Sequence, residues 1–115
     1  MFNWQEGRQG TGYFKMLLLQ SKRFLLFDVW LLKYPLGAFI PTHTDPIPNK
    51  RHFRLNIVLS KLPQTSNRKG FEATHVLFET QRMVLFRPDI TPHSVLEVME
   101  RPRYVLSIGW ALDNR

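Results

Sequence analysis

The run Phe24-Leu25-Leu26-Phe27-Asp28-Val29-Trp30-Leu31-Leu32-Lys33-Tyr34 decides the fold class. It is apolar almost without a break, and periodicity alone suits such a run to a buried strand or to a buried helix. Its surroundings favour a strand. Gly12 opens the preceding apolar segment Tyr13–Gln20, Ser21-Lys22 offers a tight turn, and Pro35-Leu36-Gly37 closes the run, so both segments are closely bounded.

Working outward, the same signals repeat. Ala38–His43 reads as a short strand, followed by the loop Asp45-Pro46-Ile47-Pro48-Asn49, whose prolines cannot donate ladder hydrogen bonds. Phe53–Leu59 alternates, with Phe53, Leu55, Ile57 and Leu59 on one face and Arg54, Asn56 and Val58 on the other. Leu62–Gly70 is a polar loop. Ala73–Glu79 and Arg82–Phe86 are strands around a turn at Thr80-Gln81, Arg87–Pro92 is a loop, and Ser94–Met99 and Tyr104–Leu112 are strands separated by Glu100-Arg101-Pro102. About eight short strands without a long helix predict an all-β sandwich or barrel. A jelly roll of the cupin kind, a double-stranded β-helix, is the economical form.

At 115 residues the chain has room for one domain and one modest core. The polar segment Met1–Gly12 is expected to be a flexible tail. The 43% apolar and 22% charged residues are those of an ordinary soluble globular protein. There is no cysteine, which excludes disulfide scaffolds, zinc-thiolate sites, iron–sulfur clusters and thiol nucleophiles together. The apolar stretch Met16–Leu19 is stopped by Gln20-Ser21-Lys22-Arg23 and is neither a membrane span nor a signal peptide, so a cytoplasmic, intracellular protein is expected. The net charge of +7 fits either a solvated basic surface or attraction to an acidic partner, nucleic acid or an anionic cosubstrate. The basic residues are scattered and form no nucleic-acid motif.

His43-Thr44-Asp45 is the strongest local feature. Residues two apart at a strand end point to one side, so an imidazole and a carboxylate can converge on one point. His93, fifty positions later at the head of an apolar strand, supplies a third donor. Two histidines and a carboxylate on one face of an octahedron leave positions open on non-haem Fe(II). Nothing near His52 or His75 completes a site, and both read as structural or exposed.

At these residues the chain resembles the Fe(II)/2-oxoglutarate-dependent oxygenases, especially the prolyl-hydroxylase-like and aspartyl-β-hydroxylase-like branches. Tyr34-Pro35-Leu36-Gly37-Ala38-Phe39-Ile40-Pro41-Thr42-His43-Thr44-Asp45-Pro46 looks like that family's entry to the first ligands. Val84-Leu85-Phe86-Arg87-Pro88 followed by Pro92-His93-Ser94-Val95 looks like its approach to the last one. Arg103-Tyr104-Val105-Leu106-Ser107-Ile108-Gly109-Trp110 looks like its closing strand. The likeness runs from about Tyr34 to Leu112, and it implies Fe(II) on His43, Asp45 and His93.

It further implies that Arg103, ten positions after His93, pairs with the far carboxylate of 2-oxoglutarate, a task suited to the planar guanidinium fork. Arg101, before Pro102 at a loop edge, is the less suitable arginine. Ser107 shares a strand face with Arg103 and can add a hydroxyl hydrogen bond. Tyr34 matches a tyrosine lining the cosubstrate pocket; its other reading is a core tyrosine. Arg54 and Asn56 resemble the R-x-H of aspartyl-hydroxylase-like enzymes, with Asn in place of His. An Arg54 facing the interior needs an anionic partner, for which 2-oxoglutarate is a natural candidate; on the other face it is merely solvated.

The implied reaction consumes O2 and 2-oxoglutarate, releases succinate and CO2, and hydroxylates a C–H bond of a protein side chain or small molecule. Two alternatives stand beside it: an oxygenase acting on nucleic acid, and a non-catalytic cupin-like metal-binding module. Nucleic-acid demethylases of the superfamily carry a second arginine six positions after the first, where this chain has Gly109. The aromatic residues of Phe24–Trp30 are the candidate surface of a homodimer, and Lys61–Gly70 is a candidate loop over the mouth.

Overall fold

The computed structural model describes residues 3–7, 11–21, 26–61, 70–99 and 101–113. Ten strands and no helix form among them: β1 Gln5–Glu6, β2 Phe14–Ser21, β3 Leu26–Tyr34, β4 Ile40–His43, β5 Lys50–Val58, β6 Phe71–Ala73, β7 Phe78–Glu79, β8 Met83–Phe86, β9 His93–Val95 and β10 Arg103–Asp113. Every pairing is antiparallel. Seven strands make one sheet in the order β1-β2-β3-β10-β5-β8-β7, and β4-β9-β6 make a second. The decisive run is therefore a strand over Leu26–Tyr34, and the fold is the all-β jelly roll. The proposed Ser21-Lys22 turn and the 62–69 loop lie largely outside the described residues.

The central strand β10 shows why the sheet has an inside. Arg103, Val105, Ser107, Gly109 and Ala111 are buried, and the residues between them are half-buried. Register carries that row across the sheet: Ser107 pairs with Trp30 on β3 and with Asn56 on β5, and Gly109 with Asp28 and Arg54. Because side chains alternate with period two, Arg54, Asn56 and Val58 face inward and Phe53, Leu55 and Ile57 outward. The inner surface holds two apolar clusters, one around Tyr13, Tyr34, Ile40, Val58 and Val105, the other of Phe71, Val84 and Phe86. Phe86 is 1% exposed. Phe86→Ala should cost about 3–5 kcal/mol, seen as a lower urea midpoint at unchanged slope.

The structure differs from the sequence reading in strand ends, each for a local reason. Ala73–Glu79 is two strands because the chain changes sheets there. Thr74 N–H still donates to Pro92 O at 3.1 Å beside the small sheet, whereas Leu77 N–H donates to Leu85 O at 2.7 Å in the large one. β9 ends at Val95, after which Leu96 N–H turns to Gly70 O at 2.7 Å and Val98 N–H to Ala38 O at 3.0 Å. β5 begins at Lys50 because Ile47-Pro48-Asn49-Lys50 forms a turn. Pro48 presets φ, Asn49 takes φ 62°, and Lys50 N–H donates to Ile47 O at 3.1 Å. Within the polar N-terminal segment, Gln5 and Glu6 pair with Lys15 and Phe14. No helix among the described residues is long and apolar enough to cross a membrane.

Candidate functional site

His43 ends β4 and His93 begins β9, and the two are register partners in the small sheet. Each imidazole is tied to the backbone two residues upstream: Nδ1 of His43 lies 2.8 Å from Pro41 O and Nδ1 of His93 lies 2.8 Å from Thr91 O. A carbonyl only accepts, so Nδ1 carries the hydrogen in both rings and the lone pair is left on Nε2. Asp45 joins them from the loop, its backbone N–H donating to Pro88 O at 2.6 Å. Asp45 Oδ2 stands 3.3 Å from His43 Nε2 and 3.4 Å from His93 Nε2.

Those distances test the fit of a metal. Donors about 2.1 Å from one ion and at right angles to each other lie about 3.0 Å apart. The two Asp45 contacts, at 3.3 and 3.4 Å, are close to that ideal, and the three donor atoms all fall within 4.8 Å of one another, a spread that must contract for all three to reach one ion. Chemically the set is imidazole, imidazole and carboxylate, the donors of a facial triad. Phe86 and Phe71 pack around His93 at ring distances of 5.0 and 6.0 Å, giving that imidazole an apolar wall.

The triad opens on a cavity of about 390 Å³ whose walls include Tyr34, Asp28, His52, Arg54, Asn56 and Ser107. Arg54 does face the interior, and the chain itself supplies its anion. Its Nη2 donates to Asp28 Oδ1 at 2.7 Å, passing over Gly109 on the intervening strand. A Cβ at Gly109 would collide with Arg54 Nη2 and Cζ, so only glycine lets the guanidinium cross β10. Arg54 Nη1 donates to Ser107 Oγ at 2.7 Å, and Ser107 Oγ donates to Asn56 Oδ1 at 2.6 Å. A hydroxyl has one hydrogen. In this arrangement Ser107 spends it on Asn56, and the Asn56 amide N–H groups are the donors left for a ligand.

Arg103 is buried at 8% exposure, and its Nη1 has no hydrogen-bond partner among the described residues. Its guanidinium rests against Gly70, where a Cβ would collide with Nη1 and Cζ. Burial pulls Arg103 below its ordinary pKa, with Tyr34 opposing. A buried cation with an unspent donor is costly unless an anion meets it. A second, smaller cavity borders Arg103, Asn56, Tyr34 and Val84, and shares Tyr34, Asn56, Phe71 and Val95 with the larger one. Tyr34 is 3% exposed and stacks on Tyr13 at 5.4 Å, so it is a core tyrosine that also lines both cavities. Burial raises its pKa far above the ordinary value, which keeps the phenol protonated.

Arg101 and His75 are exposed. Two residues of the cavity were not picked out by sequence. His52 is buried, with Nδ1 3.5 Å from Asp45 O and Nε2 3.5 Å from Arg54 Nη2; burial, then Arg54, holds its pKa below the usual value. Its signal was its place in the alternation, on the same face as Arg54 and Asn56. Asp28 had a signal too, a lone carboxylate inside an apolar strand, which needs a cation opposite. Trp30 also lines the cavity, with Lys15 Nζ 4.8 Å from its ring centroid.

No protein-family profile matches the chain, and neither does any curated protein. Solved structures do. A prolyl-4-hydroxylase from Pseudomonas putida superposes with a TM-score of 0.68 at 18% identity, over 97% of this chain and 78% of that one. The viral collagen prolyl hydroxylase of Paramecium bursaria Chlorella virus-1, a complex with 2-oxoglutarate, gives 0.52 at 20% identity, over 80% of this chain and 60% of that one. A structure of Rhodobacter sphaeroides SigE in complex with the anti-sigma ChrR gives 0.57 at 16% identity, over 92% of this chain and 48% of that one, so here the chain spans about half the neighbour's length. At such identities the likeness is one of fold, and with the two antiparallel sheets it makes this chain a double-stranded β-helix, the fold of these prolyl hydroxylases and of an RmlC-like cupin protein that superposes with a TM-score of 0.53 at 17% identity.

Proposed function

We propose that the chain is an Fe(II)- and 2-oxoglutarate-dependent dioxygenase that hydroxylates a C–H bond. The observation that carries this reading is a pairing of two features. A two-histidine, one-carboxylate cluster has its Nε2 and Oδ2 atoms turned to one point, and the cavity beside it leads to residues that border a buried, unspent arginine. A metal alone would explain the first feature; a metal with a dicarboxylate explains both.

His43, Asp45 and His93 would hold Fe(II), and Arg103 would hold the far carboxylate of 2-oxoglutarate. Bound together, the iron and the cosubstrate would supply oxidative decarboxylation driven by O2. The chain's part is to bind, orient and exclude water. Pro41 O and Thr91 O fix the imidazole tautomers. The protonated Tyr34 hydroxyl and the Asn56 amide offer neutral hydrogen bonds along the cosubstrate. Phe71, Phe86 and Val95 keep water from the His93 side.

Anaerobic titration of the folded protein with Fe(II) and then 2-oxoglutarate should give the weak visible charge-transfer band of the chelated complex. Absence of the band in metal-loaded protein would sink the reading. Arg103→Ala should weaken 2-oxoglutarate at least about 30-fold while leaving Fe(II) affinity within about twofold, because a charge-assisted bidentate contact is worth roughly 2–3 kcal/mol. Succinate release separates an enzyme from a metal-binding module.

A further inference from the structure

The Asp28–Arg54 pair lies on the wall of the same cavity as the metal ligands. It is not sealed away, since the side chains are 27% and 16% exposed. His52 bridges it to the triad, touching the Asp45 carbonyl on one side and Arg54 Nη2 on the other, both at 3.5 Å. One imidazole therefore separates the ion pair from the backbone of a proposed metal ligand.

Neither charge is exhausted by its partner. A carboxylate accepts about four hydrogen bonds and a guanidinium offers five N–H groups. Asp28 receives Arg54 Nη2 on Oδ1, and Arg54 also gives Nη1 to Ser107 and Nη2, at 3.5 Å, to His52, so these contacts take three of its five N–H groups. A lone anion approaching this wall meets Asp28, and a lone cation meets Arg54. A ligand complementary to both carries an ammonium and a carboxylate side by side. Placed against the pair, its charges alternate with those of the wall, so all of them are compensated as they leave water. Trp30, Leu32 and Ile47 supply apolar wall for a side chain. About 390 Å³ lies at the small end of ligand-pocket volumes, suited to two small molecules more than to a folded segment of a partner.

We propose that the prime substrate is a free α-amino acid, its ammonium group on Asp28 and its carboxylate on Arg54. The chemistry, though not the binding, rests on the dioxygenase reading. One C–H bond of the amino acid becomes C–OH, with O2 and 2-oxoglutarate consumed and succinate and CO2 released.

The test is calorimetric titration of the wild-type chain, loaded with Mn(II) and 2-oxoglutarate, with each of the common free L-amino acids. Every ligand found is compared with its N-acetyl and carboxamide forms. At least one free amino acid should bind, and capping either end should weaken it tenfold or more. In Asp28→Asn the penalty for N-acetylation should shrink to about twofold. The proposal is overturned if no amino acid binds, if capped forms bind as tightly as free ones, or if a folded Asp28→Asn discriminates like the wild type. The capped-ligand comparison needs no variant, so it decides even where Asp28→Asn does not fold. A charge-transfer band without amino-acid binding rejects this proposal alone. Amino-acid binding without the band rejects the dioxygenase reading and leaves the binding site standing.

Discussion

His93→Ala is expected to abolish stoichiometric Fe(II) binding and all succinate production while leaving the β-sheet circular dichroism intact. Removing it leaves His43 and Asp45, a bidentate remnant with no third donor among the described residues close enough to replace it. The nearest other imidazole in the cavity, His52, touches Asp45 through its backbone carbonyl, not its carboxylate. His43→Ala should behave alike. His93 is also packed against Phe86 and Phe71, so its alanine variant should lose about 1–3 kcal/mol of stability, more than His43→Ala, which empties a more exposed position. Calorimetric Fe(II) titration beside a urea unfolding curve reads both quantities. Retained tight binding in either variant would mean that the three residues are not the ligand set.

Gly109→Ala is expected to destabilise the fold by about 2–4 kcal/mol, a large cost for one methyl group. The added Cβ would occupy the space of the Arg54 guanidinium, driving it off Asp28 and Ser107 and leaving an inward-facing carboxylate without its cation. Uncoupling one partner of a largely buried pair costs a few kcal/mol. Gly37→Ala is the control, since Gly37 has φ 86° with open space around its missing Cβ. It should cost only the backbone strain of about 1 kcal/mol. Gly109 has no such φ, so a larger loss there reports collision and charge, not backbone conformation. A negligible loss at Gly109 in the folded variant would show that the Asp28–Arg54 bridge contributes nothing.

Much of this was written locally in the chain and so could be read from it. The alternation in Phe53–Leu59 already placed Arg54 and Asn56 on one face, and breakers on either side made Phe24–Tyr34 read as a strand, which the structure has over Leu26–Tyr34. The spacing in His43-Thr44-Asp45 put an imidazole and a carboxylate on one side, where the structure has them 3.3 Å apart. What could not be read depends on strand order. Asp28 and Arg54 are partners only because β10 lies between β3 and β5 and presents a glycine at the crossing. No local pattern encodes that register. The split of Ala73–Glu79 was hidden for a similar reason, because the residues keep strand propensity while the chain passes from one sheet to the other. Ser107 shows the limit at the level of single bonds. Its strand face was legible, but whether its hydrogen is free depends on Asn56, fifty-one positions away.

The two histidines, each clamped by the carbonyl two residues upstream and facing each other in register, amount to a self-contained cassette. Pro41-Thr42-His43 and Thr91-Pro92-His93 orient their Nε2 lone pairs with backbone carbonyls of the same tripeptides and, among the described residues, borrow no outer side chain to do so. Metal-ligating histidines are commonly aimed by a partner elsewhere in the fold, which ties the site to its host. Here a designer could lift the two tripeptides onto another antiparallel pair of matching register and carry over both imidazoles of the proposed ligand set, with a single carboxylate left to place.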